Sequence, residues 1–300
     1  MAFKAVFEPV SQRPRSQDAK KTKLQGLFHI LRINISIGTW LLVGATLQAL
    51  AVYLFSNGHY VLLISTMLLL ARIGKTVLQA KGVLANPYLQ DVIPYRTTAL
   101  IPDESTGEFT ESSSKKIAIL HLGAKANHPF GYFAPQFKAV GDWIGIMNKE
   151  MDDGKVKGFL GQTTFHRLDE RGAPEIILIS YWESIEDLWA FAHSGTHREV
   201  WQWWEKTIKE NGYVGINHEI FQADVKNWEN IYVNFQPTLM GATTFLKKGG
   251  KTLEGGVVPD EWISPLVDAK RGKLAKSSGR MGREVSTFDA TRVGKETYDA

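Results

Sequence analysis

KGFLGQTTFHRLDERGAPEIILISYW, residues 157–182, holds two strand-like runs around one turn. Residues 157–168 mix Phe, Leu and Thr, and residues 175–182 are rich in Ile. β-Branched and aromatic side chains favour the pleated backbone. Between them Asp169, Gly172 and Pro174 supply turn chemistry. Upstream, Phe137, Val140, Ile144 and Met147 recur at helical spacing and predict a helix over 135–153. Before it, residues 116–122 (KIAILHL) read as a strand. Downstream, Ser184 caps a second helix, with Asp187 as an acidic variant of the capping box. That helix runs to about Glu210, with Ser194-Gly195 as a candidate break and Asn211-Gly212 as its end. Residues 213–222 complete the pattern βαββαβ, a ferredoxin-like α+β domain over 116–247. Short strands are expected at 231–235 and 242–246. Residues 82–115 read as a linker with Pro87, Pro94 and Pro102, and 248–300 as a polar, partly disordered tail.

The 300-residue chain has no cysteine, which excludes a disulfide framework, a thiolate metal site and a cysteine nucleophile. A net charge of +4 falls short of the dense basic patches of a nucleic-acid binder, so no nucleic-acid partner is expected. The mean hydropathy of −0.16 conceals a segregation along the chain. Residues 33–71 contain no Asp, Glu, Lys or Arg. A membrane span needs roughly 20 apolar residues, so the run accommodates two, over 35–55 and 60–79. Ser56-Asn57-Gly58-His59 divides them as a turn. Residues 33–81 therefore read as a transmembrane helical hairpin preceded by a basic segment, 1–32. Lys20, Lys21, Lys23 and Arg32 flank one end, and Arg72, Lys75 and Lys81 the other. Positive charge marks the cytosolic side, which puts both termini and the folded domain in the cytosol. Trp40, Tyr53 and Tyr60 suit the interfaces. The bland alternative is a buried helical hairpin of a soluble protein.

The second helix offers the richest chemistry. If continuous, it aligns Trp189, His193, His197 and Trp201 on one face. Two imidazoles between tryptophan walls can ligate, hydrogen-bond or move protons near neutral pH. By period-two alternation His218 shares a face with Val214, Ile216 and Ile220, and His121 one with Ile117 and Ile119. Several histidines are thus expected to converge between sheet and helices. Residues 127–135 form either a plain helix-start loop or a pocket lip carrying His128, Phe130 and Tyr132. No metal site is assigned, since H-E-x-x-H is absent and a third ligand beside the two histidines is not evident. The Walker and Rossmann glycine motifs are also absent.

Three stretches resemble one family. They are Asn127-His128-Pro129-Phe130-Gly131 with Phe133-Ala134-Pro135, Tyr181-Trp182-x-Ser184 leading to Phe191-Ala192-His193-Ser194-x-x-His197-Arg198, and Gly215-Ile216-x-His218-Glu219 followed by Tyr232-Val233-Asn234. They are similar to fungal and bacterial monooxygenase-like proteins, also labelled phenylacetaldoxime-dehydratase-like, of the dimeric α+β barrel superfamily. The resemblance covers about 117–245. It implies a homodimer with paired sheets and a role in secondary-metabolite biosynthesis. Some members of the superfamily oxidise polyketide-like phenols without metal or flavin, and others degrade haem. The haem-degrading members carry a Trp-Glu-Ser start and a ligand histidine seven residues after a later Ser. Here Trp182-Glu183-Ser184 and Ser194 match, but the seventh position is Trp201.

The expected function is oxidation of a hydrophobic small molecule by a membrane-anchored monooxygenase, with membrane lipid as the other partner. His197, His218 and His193 are the expected catalytic residues. Trp189, Trp201, His121, His128, Phe130 and Tyr132 are expected to bind substrate. The cofactor is unknown, with haem the leading alternative to none. The competing functions are a haem-dependent aldoxime-dehydratase-like lyase and a non-catalytic membrane scaffold or ligand-binding protein.

Overall fold

The computed structural model describes residues 2–15, 22–55, 57–210, 212–250 and 257–284. In chain order it runs α1 (Lys23–Asn34), α2 (Ile37–Leu54), α3 (His59–Ala80), β1 (Thr97–Ala99), β2 (Ile117–Ala126), α4 (Phe137–Asp152), β3 (Phe159–Leu168) and β4 (Pro174–Trp182). It continues through α5 (Ile185–Ala192), α6 (Gly195–Thr207), β5 (Val214–Ala223), β6 (Phe245–Lys247), β7 (Glu261–Ile263), β8 (Leu266–Asp268) and α7 (Ser277–Arg280). Ser56 of the expected turn and Asn211 of the expected helix stop lie outside the described residues, as do Lys20, Lys21, 251–256 and 285–300.

β2 to β5 form one sheet in the order β3-β4-β2-β5, every neighbour antiparallel. This is the ferredoxin-like arrangement. Even-numbered residues of β2 face α4, α5 and α6. Ala118 joins Met151, Phe159, Trp182 and Leu188, and Ala126 joins Phe137, Val140 and Val214. Trp182 is only 1% exposed, and its indole N–H donates to Ser180 Oγ at 2.9 Å. Gly158 adopts φ +70° where the chain enters β3, and a Cβ there would lie 2.5 Å from Asp187 Cβ. A bare backbone lets the start of α5 close on this turn.

Odd-numbered residues of β2 face the other way. At one end of that face Ile117, Leu160 and Tyr181 are covered by Ile93, Ala99, Ile101, Trp228, Met240, Phe245 and Leu266. Here the structure departs from the expected linker and tail. β1 pairs with β8, Thr97 opposite Asp268, and Thr97, Leu100, Leu266 and Val267 are fully buried. Residues 257–284 are thus a folded part of the domain. The basic N-terminal segment is structured too. Residues 5 and 10 bridge to Val267 and Trp262. The Arg13 guanidinium donates to the carbonyls of Met151 and Phe159 and lies over the Phe159 and Trp262 rings, 4.9 and 4.8 Å from their centroids. The domain therefore extends well beyond 116–247. Three-residue strands with distant partners leave no periodicity to read.

α2 and α3 are both long and apolar enough to cross a membrane, and neither has a buried residue. Their bounds fall within two residues of the expected spans. A Cβ on Gly58 would lie 2.4 Å from Val52 Cα, so glycine permits the tight approach at their junction.

Candidate functional site

α5 opens at Ser184, whose hydroxyl accepts the Asp187 N–H at 3.0 Å. It closes at His193, whose backbone N–H and ring Nδ1–H both donate to the Trp189 carbonyl, the ring at 2.8 Å. Ser194 is extended and caps α6. The single continuous helix therefore does not form, and the shared face of Trp189, His193, His197 and Trp201 is lost. Ser at a non-helical φ/ψ, with its oxygen turned to a following N–H, restarts a helix on a new axis.

The break nonetheless draws imidazoles together. The His197 ring packs edge-on to Phe191 with centroids 6.0 Å apart. Burial holds its pKa below the ordinary 6.5. A hydrogen bond to the Ala192 carbonyl opposes this, and the nearby His193 and His218 add to the depression. His218 lies opposite Leu122 in the β2–β5 register, on the helix-facing side with Val214, Ile216 and Ile220. Because β5 is the sheet edge, His218 and Ile216 stay exposed. His193, His197 and His218 are close enough for their charges to interact. Among the described residues, no three His, Cys, Asp or Glu side chains gather to hold a metal ion. Trp189 and Trp201 are more than half exposed on separate helices, and the Trp201 indole donates to Glu205 Oε1 at 2.9 Å.

The remaining candidates lie elsewhere. His121 pairs with Glu219 across the β2–β5 ladder and approaches its carboxylate at 3.9 Å. It therefore occupies the face opposite His218, and the expected convergence excludes it. Alternation within each strand is correct, but only the register between strands says which alternate sets share a face. His128, Phe130 and Tyr132 sit in the loop that follows β2, at the end of the sheet beside α1. His128 Nδ1 accepts the Phe130 N–H at 3.1 Å, and its ring lies against Phe130 and Tyr213. Tyr132 is buried and stacked on Phe137 at 5.4 Å, with its hydroxyl 3.4 Å from His166 Nδ1. Burial, then the Glu175 charge, raises its pKa. Tyr132 is a packing residue of this loop, in the cluster with Phe137, Val140 and Val214.

Two features lay outside the sequence reading. His166 stands edge-on to His29 of α1 at 4.4 Å, a contact legible only once α1 is docked. A cleft of about 210 Å³ near the start of β2 places Glu183 among Lys115, Lys247, Leu160 and Phe245. Desolvation, then the charges of Asp187 and Glu104, raises the Glu183 pKa.

Sheet order and helix placement define a ferredoxin-like α+β domain with His193, His197 and His218 near one edge of the sheet. Residues 117–240 match the family model described as Monooxygenase af470-like. Over 284 residues the chain is 29% identical to "Monooxygenase af470" of Aspergillus fumigatus, covering 94% of this chain and 98% of that protein. Residues 117–240 are thus similar to this monooxygenase family. Two solved structures are more distant. An aldoxime dehydratase is 16% identical with a TM-score of 0.33, covering 50% of this chain and 36% of its own. A putative antibiotic biosynthesis monooxygenase from Bacillus cereus is 14% identical with a TM-score of 0.23, covering 37% and 94%.

Proposed function

We propose that the protein is a membrane-anchored monooxygenase that oxidises a hydrophobic small molecule in secondary-metabolite biosynthesis. The observation that carries this reading is His197, half-buried against Phe191 with a depressed pKa and within electrostatic reach of His218 on the edge strand. A neutral imidazole at pH 7 is a ready proton acceptor. An electron-rich phenol fits such a site. Its O–H and one ring C–H give up two hydrogens and, with them, four electrons. One atom of O₂ becomes the new ring carbonyl, and the other leaves with the two hydrogens as water. His197 takes the phenolic proton and returns it to the departing oxygen as the water forms, with His218 as a second imidazole near the reacting group. Phe191 packs on the His197 ring, and Trp189 and Trp201 are the expected apolar walls for the substrate. α2 and α3, with every side chain outside the protein core, support insertion in a bilayer from which such a substrate would partition. The flanking basic residues support cytosolic ends. The half-exposed Phe165 and Phe221 on the uncovered part of the sheet support pairing with a second copy.

The test compares metabolites of the producing organism with and without this chain, under ¹⁸O₂. A product carrying one ¹⁸O should vanish with the chain and return with the wild type, but not with His197→Ala. Full rescue by His197→Ala, or the absence of any chain-dependent labelled product, would remove the proposal. For the dimer, light scattering of the full chain in detergent should give twice the protomer mass.

A further inference from the structure

α1 carries apolar residues on two opposed faces. One face is docked. Ile30 and Ile33 pack with Tyr132, Phe137 and Val214. At the end of α1 the Asn34 amide donates to the Phe130 carbonyl at 3.0 Å, and its Oδ1 accepts the Tyr132 N–H at 2.6 Å. Gly131, at φ +53°, makes that clamp possible, because a Cβ there would lie 2.3 Å from Asn34 Oδ1. The opposite face is bare. Leu24, Leu27 and Phe28, spaced as i, i+3, i+4, are 61%, 49% and 62% exposed. Arg32, exposed, lies between the two faces.

Ile35 and Ser36 are extended, and Ser36 caps α2, so the chain changes direction between α1 and the hairpin. Two residues, Ile35 and Ser36, separate Asn34 from the start of α2 at Ile37, a distance of three steps along the chain. At about 3.3–3.6 Å per residue, the clamp is no more than about 10 Å from the point where α2 begins. The clamped loop exposes Phe130 and Phe133.

We infer that α1 is an interfacial helix. Its Leu24–Leu27–Phe28 face lies in the headgroup and acyl boundary of a lipid bilayer, and the Phe130 loop rests on the same surface. The inference rests on the reading of α2 and α3 as a membrane hairpin and adds a fixed orientation to it. The docked face of α1 welds the domain to the bilayer, so the loop end of the sheet, with His128, faces the lipid. A bilayer is the occupant because continuity requires it. Any membrane that receives α2 at Ile37 passes within reach of both exposed patches. Apolar residues on one side and a flanking arginine suit that depth.

The chain has no native cysteine, so single-cysteine variants can be spin-labelled without background. Phe28→Cys, Phe130→Cys, Leu47→Cys in α2 and Lys138→Cys on α4 would be made in the full chain. Each would be reconstituted in phosphatidylcholine/phosphatidylglycerol vesicles, after its circular dichroism is matched to wild type. Collision with oxygen against a water-soluble nickel chelate reports depth. Leu47→Cys should be deep, Phe28→Cys and Phe130→Cys shallow but lipid-immersed, and Lys138→Cys aqueous. A deep Leu47→Cys with aqueous Phe28→Cys and Phe130→Cys overturns the interfacial helix and leaves the hairpin standing. An aqueous Leu47→Cys removes both. Shielding of Phe28→Cys from both reagents, with spin–spin broadening, would assign the face to a second copy and likewise overturn the inference.

Discussion

Leu47 on α2 and Leu188 on α5 are the same residue in the same secondary structure, yet one is 61% exposed and the other 3%. Leu188 touches Trp182, Phe159 and Met151 within one cluster, while α2 has no buried residue along its length. Apolar content therefore has two destinations in this chain. The α4–α6 layer alternates apolar with polar and needs a sheet beneath it. α2 and α3 bury none of their residues in the domain and are long and apolar enough to cross a membrane. The difference is in periodicity, not in hydrophobicity.

The largest expected effect comes from cutting the domain where the sequence pattern alone would end it. A fragment of residues 117–247 loses the partners that cover Ile117, Leu160 and Tyr181. It should show no cooperative thermal transition, whereas the chain lacking only residues 37–80, rejoined by a flexible linker, should melt cooperatively. A fragment with a sharp transition would show that β1, β8 and the N-terminal strand are decoration.

His197, half-buried, and His218, exposed, stand between the two leucines in exposure. His197→Ala and His218→Ala should each lower turnover by about 10²–10⁴-fold, while the melting free energy changes by about 1 kcal/mol. Equal losses of stability and activity would make them packing residues. Turnover and calorimetry on the same preparations separate the cases.

Leu188→Ala should then destabilise the domain by about 2–5 kcal/mol, and Leu47→Ala should leave its denaturation midpoint unchanged. A shift of the midpoint with Leu47→Ala would place α2 inside the fold.

The smallest effect is one of pH. Burial lowers the His197 pKa below its ordinary 6.5. The folded state therefore favours the neutral ring. Its contribution to stability is present above 6.5 and declines as pH falls from there toward the folded-state value. Activity that needs the neutral base should have its acid limb below 6.5 in the wild type. An acid limb at or above 6.5 would contradict a desolvated His197.

The four long strands and α4 were legible because each repeats its period several times, and the two apolar helices because residues 33–71 carry no Asp, Glu, Lys or Arg. The Ser194 restart was visible only as a candidate, since Ser-Gly can sit inside a helix or end one. β1 and β8 were invisible for a physical reason. Three residues give one and a half alternations, and Thr97 meets Asp268 only because the rest of the domain brings them together. Within the site, the faces of His218 and His121 were each read correctly along their own strands. Their separation depended on the pairing of Leu122 with His218 and of His121 with Glu219, which neither strand encodes alone.

The pairing of residues 5 and 10 with Val267 and Trp262 has a consequence for biosynthesis. The hairpin is an excursion inside a closed circuit, since its flanks on both sides belong to the same domain. During translation α3 leaves the ribosome long before β8 exists. At 5–20 residues per second the interval between residue 80 and residue 268 is about 10–40 s. Throughout that time residues 5 and 10 lack their bridge partners Val267 and Trp262. A hairpin already held in a membrane would keep them tethered beside the growing chain until β8 arrives to close the ring.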